Sequence, residues 1–213
     1  MTRYDISVAY GAETPPWPGD TPYTCGWAWD MASGASVNVG RVSTSWHVGT
    51  HADAPLHVMA GGLPSEALPL DAFCGPATVI DARDANVGPV LTTEWLSMAL
   101  EGTALPTRLL VRTGRTVVGG HFPAAWPTLT ADAALWLVRG GLTLFGVDAP
   151  SVDTRTATEL SVHHALFNGG ACVLENLSLG DVPDGVYLLT AYPVLVTGAD
   201  AAPVRAVLET RDT

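Results

Sequence analysis

Three of the six histidines fall within eleven residues, in the segment Trp46-His47-Val48-Gly49-Thr50-His51-Ala52-Asp53-Ala54-Pro55-Leu56-His57. His47, His51, Asp53 and His57 are all odd-numbered. Side chains alternate along an extended segment, so all four are expected to leave from one face. At about 3.3 Å per residue, a straight strand would hold His47 and His51 roughly 13 Å apart, near the limit for sharing one ion. A bend between them is therefore expected. Gly49 gives the chain that freedom, and Pro55 sets a second bend before His57. Imidazole with carboxylate and no thiolate suits zinc, manganese or iron. A second region is expected to join this one. Glu175 follows His163 by twelve residues and ends the apolar run Ala171-Cys172-Val173-Leu174. A carboxylate ending a buried strand needs compensation, which a cation supplies. His121 and His164 read as structural or surface residues, because adjacent side chains such as those of His163 and His164 do not readily point at one ion. Spacing alone points to a metal-dependent hydrolase.

The elements that must position these groups are strands alternating with helices. Ala77–Asp81, Arg108–Thr113, Leu142–Val147, Ala171–Leu174 and Gly185–Tyr192 are apolar runs of strand length. Thr92 or Thr93 is placed to cap a helix through Leu100. Thr130 caps Ala131–Arg139 before Gly140-Gly141, and Thr158 caps a segment through Phe167 before Gly169-Gly170. The pattern predicts α/β architecture. The first thirty residues hold Pro15-Pro16-Trp17-Pro18-Gly19-Asp20, Trp27 and Trp29, and read as an ordered extended arm. With 213 residues and no linker-like tract, one domain over 1–213 is expected.

Composition removes other classes. The chain is 47% apolar and 15% charged, which excludes a disordered chain. Twenty-one acidic against ten basic residues give −11, so phosphate-driven nucleic-acid binding has no electrostatic support. All ten basic residues are Arg, which excludes Schiff-base lysine chemistry and a Walker A loop. A Gly-x-Ser-x-Gly elbow and a Gly-x-Gly-x-x-Gly turn are both missing, which disfavours a serine hydrolase and a dinucleotide enzyme. Cys25, Cys74 and Cys172 are odd in number and far apart, and read as buried or half-buried free thiols. No apolar run has membrane-span length and the N-terminus lacks a signal-peptide profile, so a cytoplasmic protein without a membrane partner is expected.

The segment His47-x-Gly49-Thr50-His51-x-Asp53-Ala54-Pro55-x-His57 resembles the signature of the metal-dependent cyclase/hydrolase family. The resemblance extends in order over nearly the whole chain. It includes Pro16–Asp20, Arg112-Thr113-Gly114, Gly146–Asp153, His163-His164-Ala165, Leu174–Leu177 and Ala202–Ala206. It implies a swivelling β/β/α-type domain assembled as a homodimer. It also implies two divalent ions, most often zinc, with manganese second. His47, His51 and Asp53 would hold one ion and His163 the other, with Asp53 and Glu175 bridging. His57 would be the general acid/base, and Trp17 would contact the aromatic part of an aryl formamide. The implied reaction is hydrolysis of N-formyl-L-kynurenine to L-kynurenine and formate. The alternatives are hydrolysis of a cyclic or other small amide and, remotely, metal binding without catalysis.

Overall fold

The computed structural model describes residues 1–83 and 90–210. In chain order its strands are β1 (Arg3–Asp5), β2 (Thr24–Trp29), β3 (Val39–Ser43), β4 (His51–Asp53), β5 (Cys74–Asp81), β6 (Val90–Leu91), β7 (Arg108–Arg112), β8 (Thr128–Leu129), β9 (Leu144–Val147), β10 (Cys172–Glu175), β11 (Gly185–Thr190), β12 (Ala201–Pro203) and β13 (Val207–Thr210). The α-helices are α1 (Thr93–Ala99), α2 (Ala131–Arg139) and α3 (Ser161–Asn168). The expected mixed α/β architecture is present. Nine strands form one sheet in the order β1-β13-β11-β5-β7-β9-β10-β4-β12. Its centre, β5-β7-β9-β10, is parallel, and the flanking pairs are antiparallel. Of these, β7, β9 and β10 are short, largely apolar runs buried almost throughout, as parallel strands covered on each side must be.

Side-chain alternation divides these strands between two cores. Leu109, Phe145 and Val173 are register partners across β7, β9 and β10 and pack with Leu137, Val162 and Leu166 of the helices. Leu110, Leu144 and Leu174 point the other way, toward Phe73, Leu177, Leu179 and Leu189. Each such fully buried side chain contributes about 1.5–3 kcal/mol relative to exposure. The register carries the helix-side row onward from Val173 to Asp53 of β4, and it places His51 opposite Glu175. Three acidic or imidazole groups therefore enter the helix-covered face at one edge of the core.

Two expected caps are present. Thr92 accepts from Trp95 N (3.3 Å) and Thr130 from Ala133 N (3.0 Å). The cap expected from Thr158 is not formed. Helix α3 begins at Ser161 after Leu160, which lies in the left-handed region at φ 46°. Its first amides are met instead by Asp153, whose Oδ1 accepts from Val162 N and Oδ2 from His163 N, both at 3.0 Å. A non-local carboxylate replaces the local hydroxyl, and it suits the positive helix end better.

The expected N-terminal arm is extended. Among the described residues no α-helix precedes Thr93. Strands β2 and β3 form a separate antiparallel pair. Cys25 lies exposed on that pair, contrary to the expectation of burial, because both strands lie outside the two cores; Cys74 is half-buried and Cys172 buried. No helix among the described residues is long and apolar enough to cross a membrane.

Candidate active site

The segment 47–57 is not one strand. Only His51–Asp53 is extended; His47 sits in the preceding turn and His57 ends a 3-10 turn opened by Pro55. The bend falls at Gly49, with φ +71°. A Cβ there would come within 2.8 Å of Ala9 O, so the turn against the N-terminal arm admits only glycine. The bend brings His47 Nδ1 to 3.1 Å from His51 Nε2, far closer than a straight strand allows.

Each of the three imidazoles nearest the carboxylates is held by an acceptor on its far side. His51 Nδ1 donates to Gly49 O (2.9 Å), His47 Nε2 to Asp200 Oδ2 (3.0 Å) and His163 Nδ1 to Asp153 Oδ2 (2.7 Å). With those nitrogens carrying hydrogen, the lone pairs of His51 Nε2, His47 Nδ1 and His163 Nε2 converge on two buried carboxylates. Asp53 Oδ1 lies 3.2 Å from both His47 Nδ1 and His51 Nε2, and its Oδ2 lies 3.3 Å from His163 Nε2. Glu175 Oε2 lies 3.6 Å from His51 Nε2, while its Oε1 lies 3.3 Å from His163 Nε2. Each carboxylate thus offers one oxygen to each histidine group. Asp53 Oδ1 is buried without a hydrogen-bond donor. An orphaned carboxylate oxygen among converging imidazole lone pairs, with acceptors behind the rings, fits a divalent cation.

The electrostatics agree. Burial alone would lower the pKa of His47, but Asp200 and Asp53 outweigh it and raise it to about 9. His51 is likewise lowered by burial yet raised to about 10, by Asp53 and then Glu175. Burial would raise the Asp53 carboxyl, but His51, His163 and His47 hold it well below the usual range. The balance of burial and partners also lowers Glu175 and raises His163. Two carboxylates buried together demand positive charge in this space, from protons on the rings or from cations.

A cavity of about 250 Å³ opens onto the cluster, lined at that end by His47, His57, His163 and Glu175. The exposed His57 stacks beside His47 at a ring-centroid distance of 4.3 Å, and its Nδ1 lies 3.5 Å from Asp200 Oδ2. The other end is aromatic. Trp17 is half-buried and meets Phe122 (5.3 Å) and Trp126 (6.0 Å) edge-to-face. Trp126 is fixed by its ring N–H donating to Asp153 O at 2.9 Å.

All seven residues singled out from the sequence, His47, His51, Asp53, His57, His163, Glu175 and Trp17, gather at this cluster and cavity. His121 is exposed and bonded locally to Gly119 O, and His164 is half-buried one position along α3 from His163. Trp27 and Trp29 stand on the exposed β2–β3 pair, outside the residues lining the cavity. Sequence reasoning gave no role to Phe122, Trp126, Asp153 or Asp200. Asp153 lies in a segment that resembles the family, but the aromatic pair and Asp200 carry no local signal.

Residues 4–154 match the family model Cyclase, described as "Putative cyclase". The chain belongs to the cyclase family. It is 42% identical over 205 residues to a kynurenine formamidase of Bordetella pertussis, covering 96% of each chain. It is also 42% identical to a kynurenine formamidase of Bacillus cereus over 204 residues, 96% of this chain and 95% of that one. A solved structure described as a "Potential Metal-Dependent Hydrolase With Cyclase Activity" superposes with a TM-score of 0.82 at 27% identity, covering 100% of this chain and 99% of the other. Isatin hydrolase A from Labrenzia aggregata shares the fold, with a TM-score of 0.80 at 22% identity over 99% and 94% of the two chains.

Proposed function

We propose that this chain is an arylformamidase that hydrolyses N-formyl-L-kynurenine to L-kynurenine and formate, a step of tryptophan breakdown. The observation that carries the reading is the convergence of three imidazoles and two carboxylates at the mouth of an aromatic-walled cavity. The kynurenine formamidases to which the chain is similar support the choice of substrate.

In this reading His47, His51 and Asp53 would hold one divalent ion and His163 a second, with Asp53 and Glu175 as the carboxylates that would be shared between them. Zinc suits the donor set, with manganese second. When bound, the ions supply Lewis acidity, lowering the pKa of water toward neutrality and polarising a carbonyl oxygen. Trp17 and Phe122, backed by the buried Trp126, receive the aryl ring and orient the formyl group toward the cluster. His57 takes a proton from water as its oxygen bonds to the formyl carbon, and returns it to the anilide nitrogen as the C–N bond breaks. That proton matters because an aryl amine leaves poorly as an anion. A structural metal site is closed by protein atoms, whereas His47, His163 and Glu175 line an open cavity, which favours catalysis over storage.

A homodimer is part of the same reading. It is supported by the exposed apolar side chains of the β2–β3 pair and the turn between its strands, Trp27 (58% exposed), Trp29 (62%) and Met31 (58%). A cytoplasmic setting accords with three unpaired cysteines.

The test is formate release from N-formyl-L-kynurenine by metal-loaded protein, with isatin as the competing substrate. Activity should vanish with chelator and return with zinc or manganese. Asp53→Ala and Glu175→Ala should lose metal and turnover together, while His57→Ala should keep its metal and lose about 10²–10⁴-fold in kcat. Faster turnover of isatin would give the reaction to a cyclic amide, and indifference to chelator would reject both.

A further inference from the structure

One acid touches two imidazoles of the site from outside the metal-facing set. Asp200 immediately precedes β12, whose Ala201 pairs with Asp53 across the sheet edge. Its backbone carbonyl accepts from Ala54 N at 2.9 Å, and its neighbour Ala199 accepts from Ser65 N at 2.9 Å. The backbone around Asp200 is thus tied to the segment that carries the cluster at Asp53 and Ala54, and to the following turn at Ser65. Its side chain is 42% exposed, yet it is turned inward: a single oxygen, Oδ2, lies 3.0 Å from His47 Nε2 and 3.5 Å from His57 Nδ1. The rings of His47 and His57 lie 4.3 Å apart, tilted by 42°.

We propose that Asp200 is a positioning residue, its one carboxylate oxygen setting the ring orientation of His47, a metal-facing imidazole, and of His57, the proton-transferring imidazole. This rests on the function proposed above. The physical reason is tautomer and direction. An acceptor at His47 Nε2 holds hydrogen there and leaves Nδ1 bare toward Asp53 and His51. An acceptor near His57 Nδ1 does the same for that ring and leaves Nε2 as the nitrogen free for proton exchange. One group serving both rings keeps their spacing constant, which matters because proton transfer is sensitive to displacements of about 1 Å. Asp200 reaches neither substrate nor reacting atoms in this account; its effect passes through the two histidines.

The experiment compares wild type, Asp200→Asn, Asp200→Ala, His57→Ala and the Asp200→Ala/His57→Ala double variant. It measures formate release at saturating metal and metal affinity by competition with a chromophoric chelator. In an active wild type, Asp200→Ala should lower kcat about 10–100-fold and weaken the ion on the His47 and His51 side by a similar factor, leaving the His163 side nearly unchanged, while KM moves little. Asp200→Asn keeps an acceptor oxygen and should recover part of both losses. In the His57→Ala background, removing Asp200 should cost less in kcat than in wild type, because its partner in proton transfer is already gone. Wild-type kcat and metal affinity in Asp200→Ala would overturn the proposal, as would an equal kcat loss in both backgrounds. If Asp200→Ala does not fold, as judged by circular dichroism, Asp200→Asn in the two backgrounds carries the same comparison. An inactive, metal-free wild type would instead sink the formamidase reading itself, so the two failures are distinct.

Discussion

Replacing Asp153 by Ala separates the stability of α3 from the orientation of His163. The Asp153 carboxylate accepts from Val162 N and His163 N at 3.0 Å and from His163 Nδ1 at 2.7 Å. Removing a helix cap costs about 1 kcal/mol. Leaving the buried imidazole N–H without an acceptor costs about 1–3 kcal/mol more. The sum, roughly 2–4 kcal/mol, corresponds in a chain of this size to a fall in Tm of about 4–16 °C. The second effect is local to the proposed centre. His163 loses the bond that turns its Nε2 toward Asp53 and Glu175, which should weaken the ion on that side about 10–100-fold. The ion on the His47 and His51 side keeps its own anchors, Asp200 and Gly49. Calorimetric melting of the metal-free protein reads the first effect, and stepwise metal titration with elemental analysis reads the second. Asp153→Asn should restore part of the cap and less of the metal affinity, because an amide accepts without carrying charge. An unchanged Tm would refute the capping argument. Equal weakening of both ions would refute the assignment of His163 to one side of the cluster.

Metal uptake should release protons, because His47 and His51 of the metal-free protein titrate at about 9 and about 10 rather than 6.5. Raised folded values mean that the protonated rings stabilise the metal-free fold fully below pH 6.5 and lose that contribution as pH rises through 9 to 10. Metal-free stability should therefore fall over that window while metal affinity rises. Calorimetric titrations at neutral pH in buffers of different ionisation enthalpy check this, and a binding heat independent of buffer would contradict it. Gly49→Ala should destabilise the protein by about 2 kcal/mol or more, from the left-handed backbone and a Cβ 2.8 Å from Ala9 O. It should also weaken metal binding, since Gly49 O anchors His51. A denaturation midpoint equal to the parent's would show that the turn can move.

The clustered imidazoles and the carboxylate beside them were legible because their chemistry is dense and local. Three imidazoles and a carboxylate within eleven residues, with a glycine to fold them together, have few other uses. Glu175 was legible for a related reason, as an acid at the end of a run too apolar to be surface. Helices α1 and α2 announced themselves through Thr92 and Thr130, whose caps are formed within three residues of each hydroxyl. The failure at Thr158 marks the limit of that logic. A cap is a demand for an acceptor at a place in space, and Asp153, eight residues before the helix begins, met it first.

Amino-acid order by itself determined the donor types, the bend at Gly49 and the strand-length apolar runs, because each depends on side-chain chemistry or on backbone freedom within a few residues. Only the tertiary structure decided how those pieces meet. The antiparallel register of β4 with β10 put His51 opposite Glu175, and the packing of α3 on that same face brought in His163. The loop before β12 delivered Asp200, and Phe122 and Trp126 closed around Trp17. Such contacts join residues tens to more than a hundred positions apart. Their geometry follows from how the sheet orders its strands and which face the helices cover, and no short window of sequence records either.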